Sequence, residues 1–270
     1  MTGSPFAYDR SFVIMNKMDV QKRRLETAEL IEQRGEAKVA ELSALFGVSD
    51  MTIRRDLEAL QREGIIKRVR RGAISATSRS YEPPFALRAE RFREEKSRIG
   101  RAASSLVSDG ETVVLDVGST VLAAAEVLRE RRNITILTPS LRAAWLLADK
   151  ADLRVIVTGG IVRPGERSLV GTLSERAFES LYCDILFMGI GGINVRAGLT
   201  EFNLEDARVK QEAMKYSQRR IVLADASKLG KVAFMRVAGL EEVDALITDA
   251  SADPDTVAEL RSAGLEVITA

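Results

Sequence analysis

Histidine is absent from the 270-residue chain, and cysteine occurs once, at Cys183. Without imidazole there is no Ser-His-Asp or Cys-His nucleophile system and no His-ligated zinc centre. A pH switch near neutrality also loses its ordinary carrier. One thiol cannot close an intramolecular disulfide, which excludes a disulfide-stapled secreted scaffold. Long apolar runs are missing too. The most apolar stretch, Ile185 to Ile193, contains three glycines and falls short of the ~20 residues that span a bilayer. Phe12 to Met15 is too short for a signal-peptide core, and no small-residue cleavage site follows it. No G-x-x-x-x-G-K-[ST] loop and no suitable G-x-G-x-x-G occurs, so ATP-driven and dinucleotide chemistry have no support. The expectation is a cytoplasmic, non-membrane chain with no metal and no cofactor.

What is present is charge, unevenly placed. The 40 Lys and Arg nearly cancel the 39 Asp and Glu. Residues 1–80 nevertheless hold 15 basic and 11 acidic side chains, and the remainder holds 25 and 28. A basic end therefore precedes a mildly acidic body, a division that a whole-chain average hides.

In the basic end, Leu25, Ala28 and Ile31 share one face of a helix that stops near Gly35. Val39, Leu42 and Phe46 mark a second helix, closed by Gly47. Ser49 stands at the N-cap of a third, which buries Ile53, Leu57 and Leu60 and ends near Gly64. Ile65 to Ile74 reads as a two-stranded hairpin around Arg70-Arg71-Gly72. Three helices and a basic hairpin make a winged helix-turn-helix, whose third helix enters the DNA major groove by its N-terminal residues. Met51, Thr52, Arg54 and Arg55 then face bases, with Lys38 and Ser49 beside them, and Lys67, Arg68, Arg70 and Arg71 neutralise phosphates. The bland alternative pairs Arg54 and Arg55 with Asp56 and Glu58 on a solvated helix. It leaves the spacing, the turn and the basic hairpin unexplained together.

Ser75 to Pro84 reads as a polar linker and Phe85 to Leu106 as one charged helix, with Phe92, Ile99 and Leu106 spaced by seven. From Gly110 short apolar runs recur at Thr112–Leu115, Ile134–Leu137, Val155–Val157, Ile185–Met188, Ile221–Leu223, Ala245–Ile247 and Leu265–Ile268. Helical stretches separate several of them, as at Val121–Glu130, Leu141–Ala148, Leu173–Leu181, Leu204–Tyr216 and Asp255–Ser262. Continuous rather than alternating apolar strands indicate a sheet covered on both faces, hence a mostly parallel, Rossmann-like α/β body.

Ligands of such sheets bind beyond the carboxyl ends of strands. Asp116-Val117-Gly118-Ser119-Thr120 follows one strand and opens a helix, an arrangement suited to a phosphate. Thr138 and Ser140, Gly159 and Gly160, and Gly189 and Gly191 follow three others. Capping is the simpler reading of Thr138-Pro139-Ser140 taken alone. Glu205, Lys210 and Lys228 complete the candidate set. Lys228 follows a strand beside Asp225, where an ammonium can meet a phosphate. Lys210 is evenly balanced between that role and a helix-surface pair with Asp206.

The run VAELSALFGVSDMTIRRDLEALQREGIIKRVRRGAI, and within it Val48–Leu57, closely resembles the DNA-binding domain of the DeoR family of transcriptional regulators. The body resembles the effector domain of the same family at DVGST (Asp116–Thr120), VTGG (Val157–Gly160), VGTLSERAF (Val170–Phe178), DILFMGIGGI (Asp184–Ile193), GLTEFNLEDARVKQEAM (Gly198–Met214) and LADASKLG (Leu223–Gly230). The chain departs from the usual pattern in three places. Arg70-Arg71 stand where the family wing has a His and a Gly, Ser119 stands where the effector domain has a Thr, and Pro139 stands where it has Asn. The resemblance implies a fold related to ribose-5-phosphate isomerase and a repressor of a carbohydrate-metabolism operon. It also implies operator double-stranded DNA and a phosphorylated sugar effector as partners, and a homo-oligomer, dimer or tetramer. The expected organisation is an extension at 1–18, with Met15 and Met18 as alternative starts, then a winged helix-turn-helix at 19–75 with its core at 37–56. A linker and the start of a connecting helix take 76–95, and the α/β sensor takes 96–270. Two rival readings stand beside it: a sugar-phosphate isomerase-like enzyme carrying a DNA-binding module, with Glu205, Asp206 and Lys210 as acid–base groups, and a constitutive DNA-binding protein whose body only oligomerises.

Overall fold

A computed structural model describes residues 20–28, 30–31, 34–75 and 79–270. The expected extension at 1–18 lies outside the described residues. The chain divides into two compact units, 1–81 and 82–270.

In the first unit, helical backbone at 20–28 and 30–31 precedes β1 (Glu36–Lys38), α1 (Val39–Phe46), α2 (Asp50–Arg62), β2 (Ile66–Val69) and β3 (Gly72–Ser75). The expected helix spacing holds because its apolar positions meet in one small core of Ile31, Val39, Leu42, Ile53, Leu57 and Leu60. Gly47 turns α1 off with φ 62°, and Ser49 caps α2 by accepting the Thr52 amide at 3.2 Å. The strand β1 is an addition to the expected hairpin. It pairs antiparallel with β3, giving the sheet order β1-β3-β2. Only glycine fits where the strands cross: a Cβ on Gly72 would stand 2.0 Å from the Ala37 carbonyl oxygen. Val69 faces Gly72 across the hairpin, so Arg70 and Arg71 form its two-residue tip.

In the second unit, the expected helix Phe85–Leu106 is two helices, α3 (Phe85–Glu90) and α4 (Arg93–Ser105). The chain breaks at Phe92, whose φ is 55°. The physical reason lies in Lys96. Its buried ammonium donates to the Arg91 carbonyl at 2.7 Å and to that of Arg88, and so satisfies acceptors that α3 leaves open as it ends. Burial, opposed by Asp225, pushes the Lys96 pKa down to about 8. The expected linker at 76–95 is likewise corrected in its second part. Residues 82–95 belong to the second unit, because Glu82 and Arg88 form ion pairs within it.

The rest of the unit runs β4 (Thr112–Leu115), α5 (Ser119–Leu128), β5 (Ile134–Thr138), α6 (Leu141–Leu147), β6 (Leu153–Val157), β7 (Ile161–Arg163), β8 (Ser168–Val170), α7 (Thr172–Arg176), β9 (Cys183–Met188), β10 (Gly192–Asn194), β11 (Gly198–Glu201), α8 (Leu204–Lys215), β12 (Ser217–Leu223), β13 (Met235–Ala238), β14 (Ala245–Thr248), α9 (Pro254–Ser262) and β15 (Glu266–Thr269). The seven expected strands build one sheet in the order β15-β14-β12-β9-β4-β5-β6, with every pairing parallel. Alternate side chains feed two separate cores. Val113, Leu115, Ile185 and Phe187 pack with Ile99 of α4 and Val121 of α5, while Val114, Leu186 and Met188 pack with Ala207 of α8 and Leu260 of α9. The chain passes from β4 outward to β5 and β6, then returns to β9 on the other side of β4. A crevice opens beyond the carboxyl ends of strands at such a reversal.

Candidate functional site

The first unit exposes a set of basic side chains. Met51 is 60% exposed, and Arg54, Arg55, Lys67, Arg68, Arg70 and Arg71 are exposed as well. Thr52 is half-buried, its hydroxyl 3.0 Å from that of Ser49. Exposed Lys38 lies 3.7 Å from Glu41. Asp56, which the bland alternative gave to Arg54 or Arg55, is buried and takes Arg23 Nε at 2.6 Å and Arg24 Nε at 2.8 Å. Among the described residues, no carboxylate comes within ion-pair distance of Arg54 or Arg55. Their guanidiniums therefore stand in solvent at the start of α2, ready for base edges or phosphates.

In the second unit, a pocket sits at the crevice between β4 and β9. Gly118, Ser119 and Thr120 border it as the open N-terminus of α5, and Gly189 enters from the end of β9. Gly189 packs so close that a Cβ there would meet the Val117 carbonyl oxygen at 2.6 Å. Lys228 reaches the pocket from the turn after β12. Its ammonium lies 5.2 Å from the centre of the Phe202 ring, with no carboxylate within ion-pair distance among the described residues. Burial, opposed by Asp225, holds its pKa below the usual lysine range.

The other expected residues divide. Asp116 and Lys210 form a buried ion pair that does not line the pocket but ties its edges together. Lys210 is 1% exposed, bonds Asp116 and stands 3.4 Å from Glu201, while Asp116 accepts the Gly189 amide at 3.0 Å. Burial disfavours the Lys210 ammonium, but Asp116, Glu201 and Asp206 outweigh it and hold the pKa above the ordinary lysine value. The surface pair considered for Lys210 is thus corrected, since α8 turns this side chain inward. Thr138 donates to the Leu115 carbonyl at 2.6 Å, and Ser140 caps α6 by accepting the Ala143 amide at 3.2 Å. Gly160 lies against Val170, and neither it nor Gly159, Thr138 or Ser140 borders the pocket. Gly191 packs on Phe202 and Ala233 outside it. Glu205 is exposed, away from the pocket.

Charged residues outside the expected set also border the pocket or hold its wall. Arg88 pairs with Glu166 and, at 2.9 Å, with Glu82, and Arg163 pairs with Asp206 and, at 2.9 Å, with Glu82. Burial, with Glu82 and Asp206 nearby, pushes the Glu166 carboxyl up against the pull of Arg88. No periodicity marks these side chains in the sequence.

Comparison with known proteins follows the same division. A model described as a DeoR-like helix-turn-helix domain matches residues 23–79, and one described as the DeoR C terminal sensor domain matches 91–250. The HTH-type transcriptional regulator GolR of Listeria innocua is 34% identical, over 91% of this chain and 97% of that protein. The putative aga operon transcriptional repressor of Escherichia coli O157:H7 is 30% identical over 92% and 93%, and the glycerol-3-phosphate regulon repressor of Escherichia coli K12 is 33% identical over 82% and 88%. Among solved structures, ribose 5-phosphate isomerase A of Methanocaldococcus jannaschii superposes over 51% of this chain and 54% of that one, with 17% identity and a TM-score of 0.39. Among the described residues, no helix is long and apolar enough to cross a membrane.

Proposed function

The chain belongs to the DeoR family of helix-turn-helix transcriptional regulators, and from that premise we propose that it represses a carbohydrate-metabolism operon and leaves its operator when a phosphorylated sugar fills the pocket between β4 and β9. The observation that carries the effector reading is Lys228, an ammonium with no carboxylate within ion-pair distance among the described residues, beside the open N-terminus of α5. An oxyanion placed there meets a positive charge and helix amides together. The names of the relatives, repressors of aga and glycerol-3-phosphate genes, agree with repression and with a phosphorylated metabolite. The chain acts as a homo-oligomer on double-stranded operator DNA and turns over no sugar phosphate, since Lys210 is locked by Asp116 and Glu201 and Glu205 faces solvent.

The test is operator affinity with and without ribose 5-phosphate and related esters. At least one ester should weaken binding, and by linkage operator DNA should weaken that ester's binding by the same factor. Lys228→Ala should keep operator affinity and lose the response. A variant that still responds removes Lys228 from the site, and isomerisation of any ester contradicts the non-enzymatic reading.

On the DNA side, Arg55→Ala should lose about 1–3 kcal/mol on the operator and relax sequence preference, whereas Arg70→Ala should weaken all sequences alike and lower the salt slope by about one. Both are read by titration against operator and random DNA. Equal losses on the two DNAs for Arg55→Ala refute a base-reading role.

A further inference from the structure

Glu82 is the first residue of the second unit, and its side chain sits inside the pocket, only 17% exposed. One carboxylate oxygen takes Arg88 Nη2 at 2.9 Å and the other takes Arg163 Nη1 at 2.9 Å. A planar oxyanion shared between two guanidiniums is how arginines hold a bound carboxylate or phosphate. This anion is not needed to neutralise them. Glu166 already pairs with Arg88, and Asp206 already pairs with Arg163. With Glu82 the cluster holds three carboxylates against two guanidiniums, a surplus of one negative charge.

The chain that follows Glu82 is anchored to the second unit. On its C-terminal side, Pro83 and Pro84 are fastened to α3: the Pro83 carbonyl takes Arg88 Nε at 2.9 Å, and that of Pro84 takes the Arg88 amide at 3.1 Å. Phe85 is held in turn under the Arg142 guanidinium, 3.8 Å from the ring centre. On its N-terminal side the chain runs directly to the unit of residues 1–81. The carboxylate is therefore an ionic tie between the pocket and the segment that leads to the helix-turn-helix.

We propose that Arg88 and Arg163 form an oxyanion subsite of the effector pocket, that Glu82 occupies it as a tethered competitor, and that an anionic group of the effector takes the subsite by displacing Glu82. The inference rests on the effector reading given above and adds the means of transmission. Binding frees the carboxylate, and with it the segment joining the two units. DNA binding and effector binding then oppose each other because both bear on the same side chain. Neutral sugars lack the group that competes with a carboxylate for two guanidiniums, so they have no purchase on the switch.

Glu82→Gln removes the competing charge and keeps the side-chain shape. It also brings the cluster to balance, so folding is expected to survive. Glu82→Ala supplies the second variant if the glutamine pairs in place of the carboxylate. The full-length protein is titrated by calorimetry with inorganic phosphate, ribose 5-phosphate and ribose, and amide hydrogen exchange is followed over residues 79–82, the last amides before Pro83. If Glu82 fills the subsite about nine-tenths of the time, its removal should tighten ribose 5-phosphate binding about tenfold. The ester should speed exchange at 79–82 in the wild type but not in either variant, whose operator affinity should no longer respond to it. A wild type that responds while both variants bind the ester no more tightly overturns this inference and leaves the effector reading standing. A wild type that binds neither phosphate nor the ester overturns both.

Discussion

Lys210→Met is expected to destabilise the second unit by about 3–5 kcal/mol, the usual result of removing one partner from a buried ion pair and stranding the other. The loss arises at Asp116 and Glu201, two carboxylates that face Lys210 and are almost inaccessible to water. Urea unfolding monitored by circular dichroism would read it as an earlier transition of the sheet-bearing unit. The double variant Lys210→Met with Asp116→Asn should recover part of the loss, since one of the two stranded charges is gone. A single-variant loss below about 1 kcal/mol, the range of exposed pairs, would contradict the buried pair. The pH dependence has a definite sign. The folded-state pKa of Lys210 is raised, so its contribution is complete below the unfolded value of ~10.4 and is lost only as pH climbs through the raised value. Between pH 6 and pH 9 the titration of Lys210 should therefore leave stability flat, within ~1 kcal/mol.

Gly72→Ala is expected to cost at least about 3 kcal/mol in the first unit, the upper end for overpacking. The new Cβ would meet a backbone carbonyl at 2.0 Å, and no rotamer change relieves a contact between backbones. The sheet must open between β1 and β3, which carries Arg70 and Arg71 away from their present position. Operator and random DNA should both lose affinity, by more than Arg70→Ala alone removes. A variant with wild-type melting temperature and wild-type DNA affinity would show that β1 does not hold the wing.

Much of this architecture was readable before the structure. The seven parallel strands are continuous apolar runs because both their faces are covered, and each run became a strand of the large sheet. The antiparallel pieces β7, β8, β10, β11 and β13 escaped because they are three or four residues long and several include glycine or charge. Phe92, Ile99 and Leu106 share a heptad spacing that suits one helix, yet the helix breaks at Phe92 because of a lysine ammonium four residues on. Periodicity does not encode that hydrogen bond. At the pocket, Gly118, Ser119, Thr120, Gly189 and Lys228 were legible because strand-to-helix loops have recognisable chemistry. Arg88, Arg163, Glu82 and Glu166 were not, because a charged residue in sequence reads as solvated until a fold closes around it. Thr138 and Ser140 illustrate the reverse case: hydroxyls suited to a ligand serve a strand and a cap instead.

The separation of side chains on β4, β9 and β12 into two cores also bears on how such a protein can diverge. Inserting or deleting one residue within those strands would exchange the occupants of the cores, so length changes there are closed to selection. The loops beyond the strand ends carry no such constraint. A few residues after β4, β9 or β12 can therefore change while the framework that supports them is inherited unchanged.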